Sequence, residues 1–348
     1  MCDDHSSHTT PWGQDTVNLG RIKGLGRAAG ALLALALGGS LLGAAPATAA
    51  STAFEYQVTR NADTYLDVPG TEIAFDALAG ERSVLWSRHF STGPVPELAA
   101  GDNIGNTFAI RCRNADGTAL PAGTEAGAFW AANLVPPNET SLTAGLRWMF
   151  IAPADGGYTC RLSILSYSSI ITGGRTVTMR VPAGAELARD TYSSMSRWTL
   201  LAGSGTTVAR GSTVSTLGST NTPTGEDIIV YQDAELTTCM AGSGICSGGT
   251  EAYTSTRAET WVEAQPKNAD GALCGGPIKG PVAVWNISNA KHHQTAANTL
   301  RLTKSQLGGC TQIRMTLKVR NVDGNPLKIH DGYSSGQIAA AHGVAYSY

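Results

Sequence analysis

The sequence predicts an all-β protein built from two tandem, disulfide-stapled β-sandwich domains. Three observations predict this fold class. Short runs of alternating apolar residues are bounded by Gly, Pro, Asn and Asp, as in "NTFAIRC" and "TQIRMTLKVRN". Six cysteines follow an apparent export signal. The tetrapeptide NADG occurs twice, at Asn114–Gly117 and at Asn268–Gly271.

The NADG repeat is one of several matches at a spacing of about 150 residues. Leu146-Arg147 corresponds to Leu300-Arg301, and Cys160 corresponds to Cys310. We therefore predict an internal duplication, with NADG as a hairpin turn in each copy, because Gly supplies the positive φ that such turns need. Two unrelated β-domains that share the same turn chemistry are the alternative.

Four segments are expected along the chain. Residues 1–49 are interpreted as a signal peptide with extra N-terminal residues, because basic residues precede a short apolar run and Ala47–Ala49 form an A-x-A cleavage signal. An extended arm at 50–62, a first sandwich at 63–187 and a second at 188–348 follow. The Ser/Thr/Gly-rich stretch at 203–225 is an alternative position for a linker. The protein is expected to be secreted and extracellular.

The duplication also predicts how the cysteines pair. Cys160 and Cys310 are equivalent, so each needs a partner in its own domain, which gives Cys112 with Cys160 and Cys274 with Cys310. Cys239 and Cys246 then close a local loop. The chain has no C-x-x-C pair, which disfavours a structural zinc site made by these cysteines.

Charge and hydropathy argue against nucleic acid as a partner and against a membrane anchor. The chain has 25 basic and 27 acidic residues, a net charge of −2, and no basic patch. Nucleic acid is therefore not an expected partner. The apolar run of the signal is too short to anchor the chain in a membrane.

No catalytic set, metal site or cofactor site is predicted. "GYSSG" at Gly332–Gly336 has the form of a nucleophile elbow, but too little chain follows it to supply the acid. A metal site from His330 and one of His292 or His293 is the alternative considered. The acidic cluster of Glu226, Asp227, Asp233 and Glu235 is interpreted as a solvated strand edge.

A secreted chain with these features is expected to act by binding and not as an enzyme. Phe54, Tyr56 and Val58 on the arm are candidate anchors for a protein partner, to which the arm would add a strand. Six tryptophans are expected to fill the cores, and exposed ones among them would instead stack on sugars. These are Trp86, Trp130, Trp148, Trp198, Trp261 and Trp285.

The layout of an Ala-rich signal, the arm "STAFEYQVTRN" and the segment "LRWMFIAPADGGYTCRLS" resembles secreted all-β proteins of Streptomyces-like actinobacteria. Among these are the adaptor subunits of umbrella toxin particles, which join a lectin-bearing subunit to a stalk-forming one. The resemblance implies an adaptor that joins other secreted proteins, and it assigns no functional residues. A module that binds carbohydrate or cell-wall polymer is the first alternative, and a secreted hydrolase is the second.

Overall fold

The structure, a computed structural model, describes residues 47–58, 64–200, 205–222, 226–331 and 338–348. The described residues form one compact unit and are mostly strands, so the predicted all-β class is confirmed. None of the helices among them has the length and apolar character needed to cross a membrane. The GYSSG motif and residues 1–46 of the predicted signal peptide lie outside the described residues.

The first half of the chain, residues 47–190, contains thirteen described strands and a 3-10 turn at Thr172–Gly174. The strands are β1 (Ala47–Ala50), β2 (Phe54–Val58), β3 (Leu66–Asp67), β4 (Ile73–Ala77), β5 (Arg82–Ser87), β6 (Phe90–Ser91), β7 (Asn103–Asn114), β8 (Gly127–Leu134), β9 (Thr143–Ala144), β10 (Arg147–Ile151), β11 (Gly156–Ile170), β12 (Val177–Val181) and β13 (Glu186–Asp190).

The second half, residues 195–348, contains twelve described strands and one described α-helix, α1 (Lys304–Leu307). The strands are β14 (Met195–Thr199), β15 (Thr206–Val208), β16 (Thr213–Asn221), β17 (Ile228–Thr238), β18 (Ser255–Lys267), β19 (Ile278–Lys279), β20 (Ala283–Ser288), β21 (His293–Leu302), β22 (Gln312–Gly324), β23 (Leu327–Ile329), β24 (Ile338–Ala339) and β25 (Ala341–Ser347).

The two halves share one strand order. In the first half, four-stranded arrangements run β1-β13-β5-β10 and β4-β11-β7-β8. In the second half they run β14-β25-β17-β21 and β16-β22-β18-β20. Eight antiparallel strands in this order form a jelly roll, so each half has jelly-roll topology. Similar topology also arises without common ancestry, and the internal duplication therefore stays a prediction.

The two halves are joined through neighbouring sheets. β8 of the first half pairs with β21, with Ala132 opposite Gln294, and β24 runs parallel to β8. One twelve-stranded sheet therefore includes strands from both halves. The predicted boundary between residues 187 and 188 falls inside β13, whereas strand pairing passes from the first set to the second between β13 and β14.

Both predicted connecting segments contain paired strands. The stretch at 203–225 includes β15 and β16, and both of these strands pair within the second half. In the predicted arm at 50–62, Phe54–Val58 form β2, which pairs with β12 over Val177–Val181. Strand β1 pairs with β13, so cleavage after Ala49 would remove three of the four residues of β1.

The three predicted disulfides are all present: Cys112–Cys160, Cys239–Cys246 and Cys274–Cys310. The two NADG segments are also hairpin turns with matching hydrogen bonds. In each, the Gly N–H donates to the Asn carbonyl at 2.9 Å, and the Gly has a φ of +84°. Disulfides persist in oxidising compartments, so the three bridges indicate a protein that works outside the cytoplasm.

Candidate functional site

The site lies on β17, which is buried along its whole length. One face of β17 carries Ala234 and Leu236 and packs on the core of the second half. The other face carries Ile229, Tyr231, Asp233 and Glu235. The first half covers it, since Ile229 packs against first-half residues and the Tyr231 hydroxyl donates to the carbonyl of Gly145 at 2.9 Å. The interpretation of Asp233 and Glu235 as a solvated edge is therefore wrong.

Strand register brings an acid and two histidines together at the end of β17. His293 opens β21 opposite Thr237, and Ile329 of β23 lies opposite Leu236. His330 follows β23, and its backbone N–H donates to the carbonyl of Glu235 at 2.9 Å. Because Glu235 and Thr237 are two residues apart on a strand, their side chains share the face on which the imidazoles lie.

Hydrogen bonds hold this cluster in a defined protonation pattern. His293 Nδ1 lies 2.7 Å from Glu235 Oε1, and Thr237 Oγ1 lies 3.1 Å from His293 Nδ1 and 2.7 Å from His330 Nε2. A carboxylate only accepts, so we assign the proton to His293 Nδ1. The hydroxyl of Thr237 then donates its single proton to His330 Nε2.

The electrostatics agree with this assignment. Burial alone would raise the pKa of Glu235, but the hydrogen bond from His293 and the charges of the three neighbouring imidazoles outweigh burial, and the pKa lies below its usual range. Burial, together with His293, lowers the pKa of His292 to about 4. Burial also lowers the pKa of His330. At neutral pH the cluster therefore holds an ionised Glu235 beside neutral His292 and His330.

A cavity of about 350 Å³ opens in front of this cluster, at the junction of the two halves. Glu235 and His293 line it from the second half. The first half supplies an apolar and aromatic wall, and Ile338 completes the lining. The first-half lining residues are Tyr65, Thr107, Phe129, Ala131 and Tyr167.

The aromatic wall is positioned by close packing on the sheet. Tyr167 lies opposite Gly105, where an added Cβ would come within 2.1 Å of Tyr167 Cζ, so only Gly lets the ring lie against β7. The Arg111 guanidinium lies 4.9 Å from the ring centroid of Tyr65. Burial raises the pKa of Tyr167 to about 12 and also raises that of Tyr65, so both phenols stay neutral and can donate hydrogen bonds.

Two further polar groups of the second half lie close to this cavity without lining it. Thr237 touches both imidazoles, but it is 0% exposed and does not line the cavity. A second acid–histidine pair, Asp233 with His342 at 2.8 Å, is fully buried, and His342 Nε2 is occupied by the carbonyl of Arg147.

The predicted anchors of the arm belong to the fold. Val58 is fully buried in the first-half core, and Phe54 and Tyr56 pack against it. The Tyr56 hydroxyl lies 2.6 Å from Ser166 Oγ. The alternation that suggested an exposed binding strand thus reflects one face of β2 turned to the core. Whether a partner also binds β2 stays a prediction.

The six tryptophans do not form an exposed platform. Trp148 and Trp130 are buried, and the other four are half-buried. Three of those four donate their indole N–H to protein acceptors: Trp86 to Asp190, Trp198 to the Leu217 carbonyl and Trp285 to Thr260. Sugar stacking on exposed tryptophans is therefore not supported. The cavity wall offers other aromatic side chains, those of Tyr65, Tyr167 and Phe129.

No protein-family model and no curated protein matches the chain. Among solved structures, the chain is similar to the T13 IBDV viral particle, with 10% identity, a TM-score of 0.26 and coverage of 87% of this chain and 73% of that chain. It is also similar to the CBM22-1-CBM22-2 tandem domain of Paenibacillus barcinonensis Xyn10C, with 11% identity, a TM-score of 0.23 and coverage of 86% and 92%. It is similar to PNGF-II as well, with 10% identity, a TM-score of 0.29 and coverage of 87% of this chain and 65% of that chain. TM-scores this low assign no function.

Proposed function

We propose that the protein is a secreted, non-enzymatic binding protein that holds its ligand in the cavity between the two halves. The observation that carries this proposal is the cavity itself. Its volume of about 350 Å³ lies in the range of ligand sites, and its apolar and aromatic wall faces a few convergent polar groups. The three disulfides support a site of action outside the cytoplasm.

The lining favours a small polar ligand with an apolar face. Tyr65, Tyr167 and Phe129 offer rings for stacking, whereas Glu235 accepts hydrogen bonds from hydroxyl groups. Sugar units combine these two properties. A unit of an extracellular glycan or cell-wall polymer is therefore the proposed ligand class.

A thermal-shift and calorimetric screen against soluble peptidoglycan, chitin and plant-wall oligosaccharides tests the proposal. Ala131→Phe fills the cavity, whereas Val284→Phe makes a similar enlargement on β20 at a residue that is 50% exposed. We expect an oligosaccharide to stabilise the wild type and Val284→Phe but not Ala131→Phe. A screen without any stabilising sugar, or equal shifts in all three proteins, would contradict the proposal.

The adaptor role suggested by the sequence remains a second proposal, and it now has a different structural basis. The sequence suggested it from the overall layout, with an exposed strand edge or the arm as the contact, and β2 of the arm is paired with β12. The exposed surface of the described residues is therefore the other contact area for an adaptor. Recovery of stoichiometric secreted partners with a protein tagged after Tyr348 supports that role, and recovery of the protein alone argues against it.

A further inference from the structure

The inner end of the cavity carries a buried carboxylate oxygen that the fold does not satisfy. Glu235 is 2% exposed, and its Oε1 contacts His293. Its Oε2 is buried and has no hydrogen-bond partner among the described residues. A buried, unpaired carboxylate oxygen is costly, and structures normally supply a donor or a cation for it.

Candidate ligand atoms lie close to this carboxylate. One atom each from Glu235, His293 and His330 lie within 4.8 Å of one another. They come from β17, from the start of β21 and from the residue after β23, so three strands of one sheet fix their positions. A site built on strands is held more rigidly than one built on loops.

We propose that Glu235, His293 and His330 bind a divalent transition-metal ion, with zinc as the best match. Two imidazole nitrogens and one carboxylate oxygen are donors that zinc prefers, whereas calcium and magnesium take mainly oxygen ligands. The site was considered from the sequence only for His330 with His292 or His293, and no metal was expected. Glu235 is the ligand that the sequence analysis did not identify.

The spacing of the donors suits a tetrahedral ion after a small adjustment. Zinc lies about 2.0–2.2 Å from nitrogen and oxygen ligands, which places neighbouring donors roughly 3.4 Å apart. Glu235 Oε1 and His293 Nδ1 are 2.7 Å apart, so they would separate by less than about 1 Å as the ion replaces the proton between them.

Thr237 acts as a positioning residue for His330. It is fully buried, and its hydroxyl lies 2.7 Å from His330 Nε2, so it can accept that N–H when His330 Nδ1 binds the ion. Its 3.1 Å contact with His293 Nδ1 would be replaced by the ion. Partners of this kind orient metal ligands, and their loss typically costs about 10–100-fold in metal affinity. The cavity side of the cluster leaves room for a fourth ligand, because Glu235 and His293 also line the cavity.

Metal titration of the untagged, full-length secreted protein tests the proposal. After treatment with EDTA and its removal, Zn²⁺ alone is titrated by calorimetry, and Co²⁺ is added in parallel to record the visible spectrum of the bound ion. We expect one Zn²⁺ per chain, a tetrahedral Co²⁺ spectrum, and much weaker binding of Mg²⁺ and Ca²⁺.

Four variants connect binding to these residues. Glu235→Gln and His330→Gln keep side-chain size and should weaken Zn²⁺ binding by more than about 100-fold, beyond the loss expected for Thr237→Val. His89→Gln changes an exposed histidine outside the cluster and should bind as the wild type does. Unfolding temperatures measured in EDTA show whether each variant is folded.

Absence of Zn²⁺ binding by the wild type, or wild-type affinity in folded Glu235→Gln and His330→Gln, would overturn the proposal. The metal site uses the same cavity as the proposed glycan site, but it is tested without sugar. Zinc binding without a sugar ligand would refute only the glycan proposal, and sugar binding by a chain that takes up no zinc would refute only the metal proposal.

Discussion

The two halves have the same strand order but differently built cores. The first half has one continuous core, and its fully buried aromatic residues include Trp148, Phe90 and Phe108. The second half has two smaller clusters made mainly of aliphatic residues, and its tryptophans are half-buried. It also contains two of the three disulfides.

The two halves therefore contribute different kinds of side chain to the cavity. The first half buries apolar side chains and presents an aromatic wall to the cavity. The second half buries polar groups on β17 and β21, including Asp233, Glu235 and Thr295, where the first half covers them. Polar burial lowers stability unless each group is paired. We therefore expect the second half, which holds the candidate site and two of the three disulfides, to depend more on cross-links.

The largest effect is expected when a fully buried ring in the core of the first half is replaced by alanine. Phe108 is 0% exposed and packs between Phe90 and Trp130, with ring centroids 4.7 and 5.7 Å away. Phe108→Ala should lower the free energy of unfolding by about 3–5 kcal/mol, measured by urea denaturation. Trp285→Ala removes a larger but half-buried ring and should cost less. An equal or greater loss for Trp285→Ala would show that the second core is as dense as the first.

Removal of the Cys274–Cys310 bridge tests the second half. Its partners are 36 residues apart, and loop entropy gives about 3–4 kcal/mol for such a bridge. We expect the double Ala variant to lose that amount and to be cleaved first within the second half during limited proteolysis. The matched variant lacks Cys112–Cys160, which lies inside the large first core. First cleavage of the Cys274–Cys310 variant in the first half would refute the idea that the second half relies more on cross-links.

Local chemistry made much of the fold predictable. The NADG turns follow from a glycine requirement within four residues, and the disulfides follow from cysteine count and the repeat. The burial of β2 was not predicted, since "FEYQV" alternates equally well on an edge strand and on a strand with one face in the core.

The candidate site could not be predicted because it depends on register. Glu235, His293 and His330 are far apart in the sequence, and only the pairing of β17 with β21 and β23 brings them together. The burial of Asp233 and Glu235 also depends on the packing of the first half against β17. The sequence of β17 alone does not show that the first half covers the face that carries Asp233 and Glu235. The signal that was present in the sequence is the adjacent pair His292-His293 together with the acids Asp233 and Glu235 on one predicted strand.

The buried pair of Asp233 and His342 in the second half predicts a pH dependence of stability. Burial disfavours the charged form of His342, but Asp233 and the carbonyl of Arg147 outweigh it and raise the pKa of His342. Tyr231 and Arg197 also face this pair. A raised folded pKa contributes stability that is present at pH values below the unfolded pKa of about 6.5 and is lost as pH rises through the folded value.

Urea unfolding from pH 5.5 to 9 of the wild type and His342→Gln measures this contribution. The stability difference between them should shrink with rising pH, by at most about 1.4 kcal/mol per pH unit for a single group. Asp102→Asn is the first-half control, because hydrogen bonds outweigh burial there and lower the pKa of Asp102. Its contribution should stay constant over this range, because it is lost only as pH falls below the unfolded Asp pKa of about 3.9. A His342 difference that stays constant or grows with pH would contradict the assignment.

The smallest expected effect concerns the NADG turn, a local feature in which the two halves agree. Gly117 and Gly271 both have a φ of +84°, and an added Cβ at either position would meet no atom within 4 Å. Gly117→Ala and Gly271→Ala should therefore each lower the free energy of unfolding by about 1 kcal/mol, purely through backbone strain. Asp116→Ala and Asp270→Ala serve as controls that change the same turns without adding a Cβ at the Gly. Each removes a side chain that accepts the backbone N–H two residues later. Because the strain is local, the two Gly variants should lose the same amount although they lie beside different cores. Unequal losses would show that core packing, and not turn geometry alone, determines how these hairpins fold.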